Sequence, residues 1–169
     1  MKRIITNTGM LLLWGLTISL VSCEKNEEEP KDEVAQMIEE VRAITQSYTV
    51  HSNGVAAGWA TDLSGCVAHP TEGGMGHHFG RLEYIDGRIN HLEPQVLLYA
   101  PDATGTMELL GVEYLIPFAI HSEDKEPPTL FGQNYHKNQQ IEMWALHLWS
   151  EKENPNGMFY DWNPDVSCQ

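Results

Sequence analysis

Positive charge is scarce in this chain: ten lysines and arginines stand against 24 aspartates and glutamates, a formal net charge of −14. A field of that sign repels phosphate polymers and anionic membrane surfaces, which argues against nucleic acid as a partner and for a well-solvated acidic surface. Cysteine is nearly absent. Cys23, Cys66 and Cys168 are the only three, and no C-x-x-C spacing links them, so a thiolate metal site has little footing. Long apolar runs are missing as well. The most apolar stretch, Met10 to Leu20, falls short of the roughly 20 residues that span a bilayer. There is no G-x-S-x-G elbow, no glycine-rich phosphate loop leading into a helix, no H-E-x-x-H and no internal repeat, so nucleophilic and phosphate-loop chemistry find no support.

What is present starts with Met1-Lys-Arg, a positive segment followed by the short apolar stretch and by Leu20-Val-Ser-Cys23. This resembles a bacterial lipoprotein signal peptide with its lipobox. The resemblance implies removal of residues 1–22, lipidation of Cys23, and membrane attachment through that lipid. The mature chain of 147 residues would then hold eight basic and 24 acidic residues, a formal charge of −16. Residues 24–33, Glu-Lys-Asn-Glu-Glu-Glu-Pro-Lys-Asp-Glu, contain too little apolar surface to fold alone, so 23–33 reads as an acidic tether. Acidic residues just behind the lipidated cysteine also resemble the surface-export signal of lipoproteins in some Gram-negative bacteria. The expected location is the bacterial outer membrane or cell surface, with the domain outside the cytoplasm. An exported setting permits oxidation, and Cys66 and Cys168 are then the natural disulfide pair.

Residues 34–169 have the length of one domain. Val34, Met37, Ile38, Val41, Ile44 and Tyr48 repeat at three-and-four spacing, which predicts an amphipathic helix, with Asp32 as its N-cap. Ser52-Asn-Gly interrupts the pattern, and Val55 to Ala60 offers a second short helical piece. Four segments read as strands: 76–84, 95–100, 107–118 and 142–150, with Pro101-Asp-Ala-Thr-Gly105 as a hairpin connection. Residues 121–140 read as a long connection. A helix followed by a strand meander predicts an α+β domain: a curved antiparallel sheet of four or more strands, packed by the N-terminal helix, its C-terminus pinned by the disulfide.

Two polar residues stand out because their strands are otherwise apolar. Glu113 lies in Leu109-Leu-Gly-Val-Glu-Tyr-Leu-Ile116; simple alternation puts Leu109 and Leu115 on its side and Leu110, Val112, Tyr114 and Ile116 opposite. His147 lies in Met143-Trp-Ala-Leu-His-Leu-Trp149, sharing a side with Met143, Ala145 and Trp149. Buried ionisable groups need a partner, and each of these two can serve the other across a sheet. Gly73-Gly-Met-Gly-His-His-Phe79 adds adjacent imidazoles that alternation sends to opposite faces, so at most one joins a shared site, and the family resemblance given below selects His78. Two imidazoles and a carboxylate suit zinc, copper or iron, with Met75 as a soft ligand for copper. A hydrogen-bonded polar core uses the same residue types, and both readings stand at this level. His51, His69, His91, His121 and His136 fall in polar or loop contexts, which predicts a surface position.

The motifs Gly-Gly-Met-Gly-x-His-Phe after Cys66, Gln95-Val-Leu-Leu-Tyr-Ala-Pro, Gly111-Val-Glu-Tyr, Leu130-Phe-Gly-Gln, Ala145-Leu-His-Leu-Trp, Asn154-Pro-x-Gly-Met-Phe and Asp161-Trp-Asn-Pro-x-Val-Ser-Cys168 together resemble a family of small secreted bacterial proteins of unassigned function. The resemblance spans about residues 34–168 and implies His78, Glu113, Gln133 and His147 as its polar positions. It brings no activity or cofactor. The functional expectation is therefore a lipid-anchored envelope binding protein. Its pocket is built from His78, Glu113 and His147, lined by Tyr114, Phe131, Gln133 and Trp149, with a transition metal or small ligand as occupant. A metal-assisted enzyme using the same residues and a ligand-free structural lipoprotein are the alternatives.

Overall fold

A computed structural model describes residues 30–168. The expected signal segment, Cys23 and most of the acidic tether lie outside the described residues. The first helix, α1 (Pro30–Thr45), begins with a proline, which suits a first turn whose N–H groups have no intrahelical partner. It thus takes in the last residues expected as tether, and Asp32 lies within it instead of capping it. Ile38 and Val41 are buried on the sheet, with Val34 and Met37 packed beside them, as the periodicity predicts. The helix closes through a 3-10 turn, Gln46–Thr49, into a short helix α2 (His51–Ala56). Ser52-Asn-Gly therefore lies inside a helix and does not break one. Gly54 is needed for close approach: a Cβ there would sit 2.8 Å from the Tyr99 hydroxyl oxygen.

Eight strands follow: β1 (Thr61–His69), β2 (Gly73–Gly80), β3 (Val96–Pro101), β4 (Met107–Pro117), β5 (Thr129–Leu130), β6 (Gln133–Asn134), β7 (His136–Asn138) and β8 (Met143–Leu148). Six of them form one strongly curled antiparallel sheet, a half-barrel, in the order β1-β2-β3-β4-β8-β7, and β5 and β6 form a separate hairpin. The α+β architecture, the antiparallel sheet, its packing by the N-terminal helix and the Cys66–Cys168 disulfide all match expectation. The strand list was incomplete. β1 went unpredicted because its first four residues are exposed and a register shift between Asp62 and Cys66 breaks any alternation. Residues 82–84 form a 3-10 turn, and β5, β6 and β7 occupy the stretch expected as a plain connection. Among the described residues no helix is long and apolar enough to cross a membrane.

The sheet has two buried faces. One, carrying Leu97, Tyr99, Val112, Tyr114, Ile116, Trp144, Leu146 and Leu148, packs on α1. The other carries Val96, Leu98, Leu110, Leu115, Ala145 and Trp149 and receives Val166 from the C-terminal segment. That segment is tied down by the disulfide from Cys168 to β1, by a Gly74–Asn163 bridge, and by the Trp149 indole N–H donating to the Tyr160 carbonyl. A bulge in β4 decides which residues share the second face. Leu98 pairs with Gly111 and Tyr99 with Leu109, so Leu110 is an extra residue. Alternation inverts there, which corrects the expected sides: Leu109 packs toward the helix and Leu110 toward the second face.

Gly76 shows how tightly β2 meets β3. Its φ is +84°, and a Cβ would lie 2.4 Å from the Tyr99 carbonyl oxygen. Gly76→Ala is expected to destabilise the protein by at least about 2 kcal/mol, combining left-handed backbone strain with a backbone clash. Urea denaturation of the two proteins measures this, and equal midpoints would refute the close approach.

Candidate metal centre

The site lies on the face away from α1, where the curl of the sheet draws three strands together. Glu113 and His147 are direct cross-strand partners on β4 and β8. His78 on β2 pairs with Leu98, while Val96, two residues along β3, pairs with Glu113, so His78 and Glu113 approach across one intervening strand. Residue exposures of 7, 4 and 2 % for His78, Glu113 and His147 mean that water solvates none of them freely.

His78 Nε2 lies 3.8 Å from Glu113 Oε2, and His147 Nε2 lies 3.7 Å from Glu113 Oε1. One ligand atom from each of the three residues falls within 4.8 Å of the others. Both imidazole to carboxylate separations exceed hydrogen-bond reach. His147 Nε2 is buried with no hydrogen-bond partner at all. Glu113 and His147 thus make no hydrogen bond to each other and meet as a charge pair when His147 is protonated.

The opposite ring nitrogens explain why both Nε2 atoms face inward. The Ser64 hydroxyl donates to the Gly65 carbonyl at 2.8 Å, so its oxygen is left to accept from His78 Nδ1 at 2.9 Å. His147 Nδ1 meets Asp161 Oδ1 at 3.2 Å, and a carboxylate can only accept. With both Nδ1 atoms bearing protons, the neutral imidazoles present Nε2 lone pairs to the Glu113 carboxylate. In that neutral state, the one that binds a metal, three lone-pair donors converge on one point. This is the arrangement that a histidine-rich metal site requires, down to the outer hydrogen bonds that orient each ring. Metal bonds of about 2.1 Å at tetrahedral angles place ligand atoms about 3.4 Å apart, so an ion would draw each imidazole a few tenths of an ångström toward the carboxylate, and the widest separation, within 4.8 Å, would close by at most about 1.4 Å.

Electrostatics separate the two rings, favouring the neutral form of His78 and the protonated form of His147. Burial pushes the His78 imidazole below its usual range, and the charge of Glu113 only partly offsets this. Burial acts the same way on His147, but the charge of Glu113 and the hydrogen bond and charge of Asp161 outweigh it, and the net shift is upward. Asp161 is pushed up by burial and pulled down further by its hydrogen bond to His147 and by the charges of His147 and His136; the net shift is downward. Its second oxygen lies 3.4 Å from His136 Nε2, and the His136 ring lies parallel to that of His147, centroids 6.4 Å apart.

A cavity of about 590 Å³ lies over the triad, lined by residues that include Ser64, Met75, Leu115, His136, Asp161 and Trp162. The expected pocket residues lie elsewhere. Tyr114 is on the helix-packed face, its hydroxyl donating to the His91 carbonyl, and Phe131 packs against it there. Gln133 is exposed on β6. Trp149 backs the ring of His147 at 6.4 Å and does not line the cavity. Met75 does line it, as its ligand role would need. Nor do the other histidines lie free at the surface. All five are partly buried: His51 sits against the Phe79 and Tyr99 rings, His91 bonds Glu40, and His136 lines the cavity.

Ser64, Asp161 and His136 were missed by sequence reasoning. Ser64 and Asp161 each lie 14 residues from the histidine they orient, a separation with no diagnostic value. The one available signal was a carboxylate in a tail expected to be tied back to the domain by Cys168. Compared with protein-family models, with curated proteins and with solved structures, the chain has no match.

The raised proton affinity of His147 sets a pH dependence. Its protonated form is favoured in the folded, metal-free protein, so its contribution to metal-free stability is full at low pH and is lost as pH rises through the folded value. Metal binding runs the other way, because the proton must leave. Apparent Zn²⁺ affinity is expected to begin falling at a pH above the usual imidazole value of 6.5, then by about tenfold per pH unit if one proton is displaced. Chelator competition between pH 8 and 5.5 reads this, and a flat profile would remove His147 from the ligand set.

Proposed function

We propose that this is a lipid-anchored envelope protein that binds a divalent transition metal through His78, Glu113 and His147. The observation that carries the metal is the buried, unpartnered Nε2 of His147, aimed at a carboxylate too distant to bond it. Leaving such a nitrogen unpaired costs roughly 1–3 kcal/mol, an expense that a bound ion removes. Two imidazoles and one carboxylate supply three positions and leave others open toward the cavity, as in zinc or non-haem iron sites. The lipid anchor is supported by Leu20-Val-Ser-Cys23 after a basic and apolar start, and export is in keeping with the Cys66–Cys168 disulfide. Membership of the family of small secreted bacterial proteins is supported by the shared motifs. Of its four polar positions, three, His78, Glu113 and His147, meet at one point.

Metal analysis of protein purified without added metal, followed by Zn²⁺, Cu²⁺ and Fe²⁺ titration, tests the reading. One ion per chain is expected, with submicromolar or tighter affinity for at least one metal. Asp161→Asn should weaken that affinity by about 10 to 100-fold, because the amide can donate to His147 Nδ1 and so favour the wrong tautomer. The absence of stoichiometric binding by any of the three ions would sink the proposal. Mass spectrometry of membrane-extracted protein, with Cys23→Ala as control, tests the anchor separately.

A further inference from the structure

The cavity wall bears on what the open metal positions receive. Its apolar members, Leu63, Val67, Met75, Leu115, Ile141 and Trp162, come from both sides of the site. Its charged side chains near the triad are the carboxylates of Glu113 and Asp161. Lys137 is the only lysine or arginine in the lining, and its ammonium does not serve the site. Lys137 pairs with Trp144, and its Nζ lies 5.5 Å from the centroid of that ring, which belongs to the helix-packed face. Its neighbour His136 pairs with Ala145 and takes the cavity side, as strand alternation requires. Among the described residues no ammonium or guanidinium therefore faces a ligand.

A charge count sharpens this. A divalent ion with two neutral imidazoles, the Glu113 carboxylate and the adjacent Asp161 carboxylate has no net local charge. Phosphate and sulfate groups are ordinarily held by arginine, lysine or clustered backbone N–H groups, and none of the first two is in place here. Ligand cavities span roughly 300–1,000 Å³, and this one falls within that range, its wall combining the six apolar residues with the uncharged polar side chains of Ser64, Asn138, Gln139 and Gln140.

We infer that the metal centre takes a neutral ligand with an apolar body, coordinated through one nitrogen or oxygen, and discriminates against phosphate-type anions. This rests on the metal reading above. Coordination displaces water from the ion and involves no bond-making within the ligand.

Co²⁺-loaded protein reports on the question, since its visible absorption responds to a change in the ligand set. Imidazole, 4-phenylimidazole and inorganic phosphate are the probes, titrated against wild type and Ile141→Glu. Ile141 is 45 % exposed, so its replacement spares the core. Wild type is expected to bind 4-phenylimidazole about tenfold or more tightly than imidazole, as burial of a phenyl group predicts, and to ignore millimolar phosphate. Ile141→Glu should reduce that preference. Equal affinity for the two imidazoles, a spectral response to phosphate at lower concentration than to imidazole, or an unchanged preference in Ile141→Glu would overturn the inference while the metal centre stands. A cobalt spectrum that is absent in wild type, or identical in His147→Ala, would remove the centre and the inference together.

Discussion

Glu113→Gln is expected to abolish tight metal binding and leave the fold intact, with affinity for Zn²⁺ falling at least about a hundredfold. The substitution keeps the shape of a side chain that is 4 % exposed and removes only its charge. In the metal-free protein the new amide N–H groups can donate to the Nε2 lone pairs of His78 or His147, so its melting temperature should stay close to that of metal-free wild type. The contrast lies in the response to metal. An ion present at a thousand times its dissociation constant stabilises wild type by about 4 kcal/mol, and the variant should gain almost none of that. His147→Ala should also lose the metal, but it leaves a void among Ala145, Trp149 and their neighbours and is expected to cost about 2–4 kcal/mol even without metal. Thermal melts with and without Zn²⁺, paired with chelator competition, separate the two effects. Retention of wild-type affinity in Glu113→Gln would disprove the ligand assignment.

The second large effect belongs to the disulfide. Joining Cys66 to Cys168 spans 102 residues of chain, and replacing both by serine should destabilise the protein by roughly 4 to 5 kcal/mol on the chain-entropy model. For a domain of this size the melting temperature should drop on the order of 10–20 °C. Metal affinity should suffer much less. Asp161 lies seven residues before Cys168, and the tail keeps independent ties through the Gly74–Asn163 bridge, the Trp149 to Tyr160 hydrogen bond and the Asn154 amide, which donates to the Tyr160 and Trp162 carbonyls. A loss below about 1 kcal/mol would show that the unfolded chain gains little freedom on losing the crosslink.

The readable part of the site follows from a conflict within single strands. Glu113 and His147 each interrupt an apolar run, and a buried ionisable group must answer to a partner, so their pairing could be expected before any coordinates. Alternation separated His77 from His78, and the choice of His78 came from the family resemblance; the structure places His77 on Asp62 at 2.9 Å, away from the triad. Tyr114 and Phe131 failed as pocket residues. Tyr114 adjoins Glu113 and so must point to the other side of the sheet, where Phe131 packs against it. Leu109 and Leu110 were misplaced because a bulge is a local count of residues between two strands, and a single strand carries no record of its partner's register.

By itself the sequence determined the α+β class, the amphipathic helix, the central strands and the disulfide partners. Each depends on a pattern confined to a short stretch or, for the cysteines, on the expectation that Cys23 is committed to lipid. The tertiary structure alone decided that the sheet curls far enough to carry His78 over β3 to Glu113. It also decided that Ser64 and Asp161 turn both imidazoles inward, and that the one lysine of the cavity wall above them, Lys137, lays its ammonium on Trp144. These depend on strand curvature, on register and on a tail folded back across the sheet. All three are fixed by contacts between residues far apart in the chain, where no periodicity reaches.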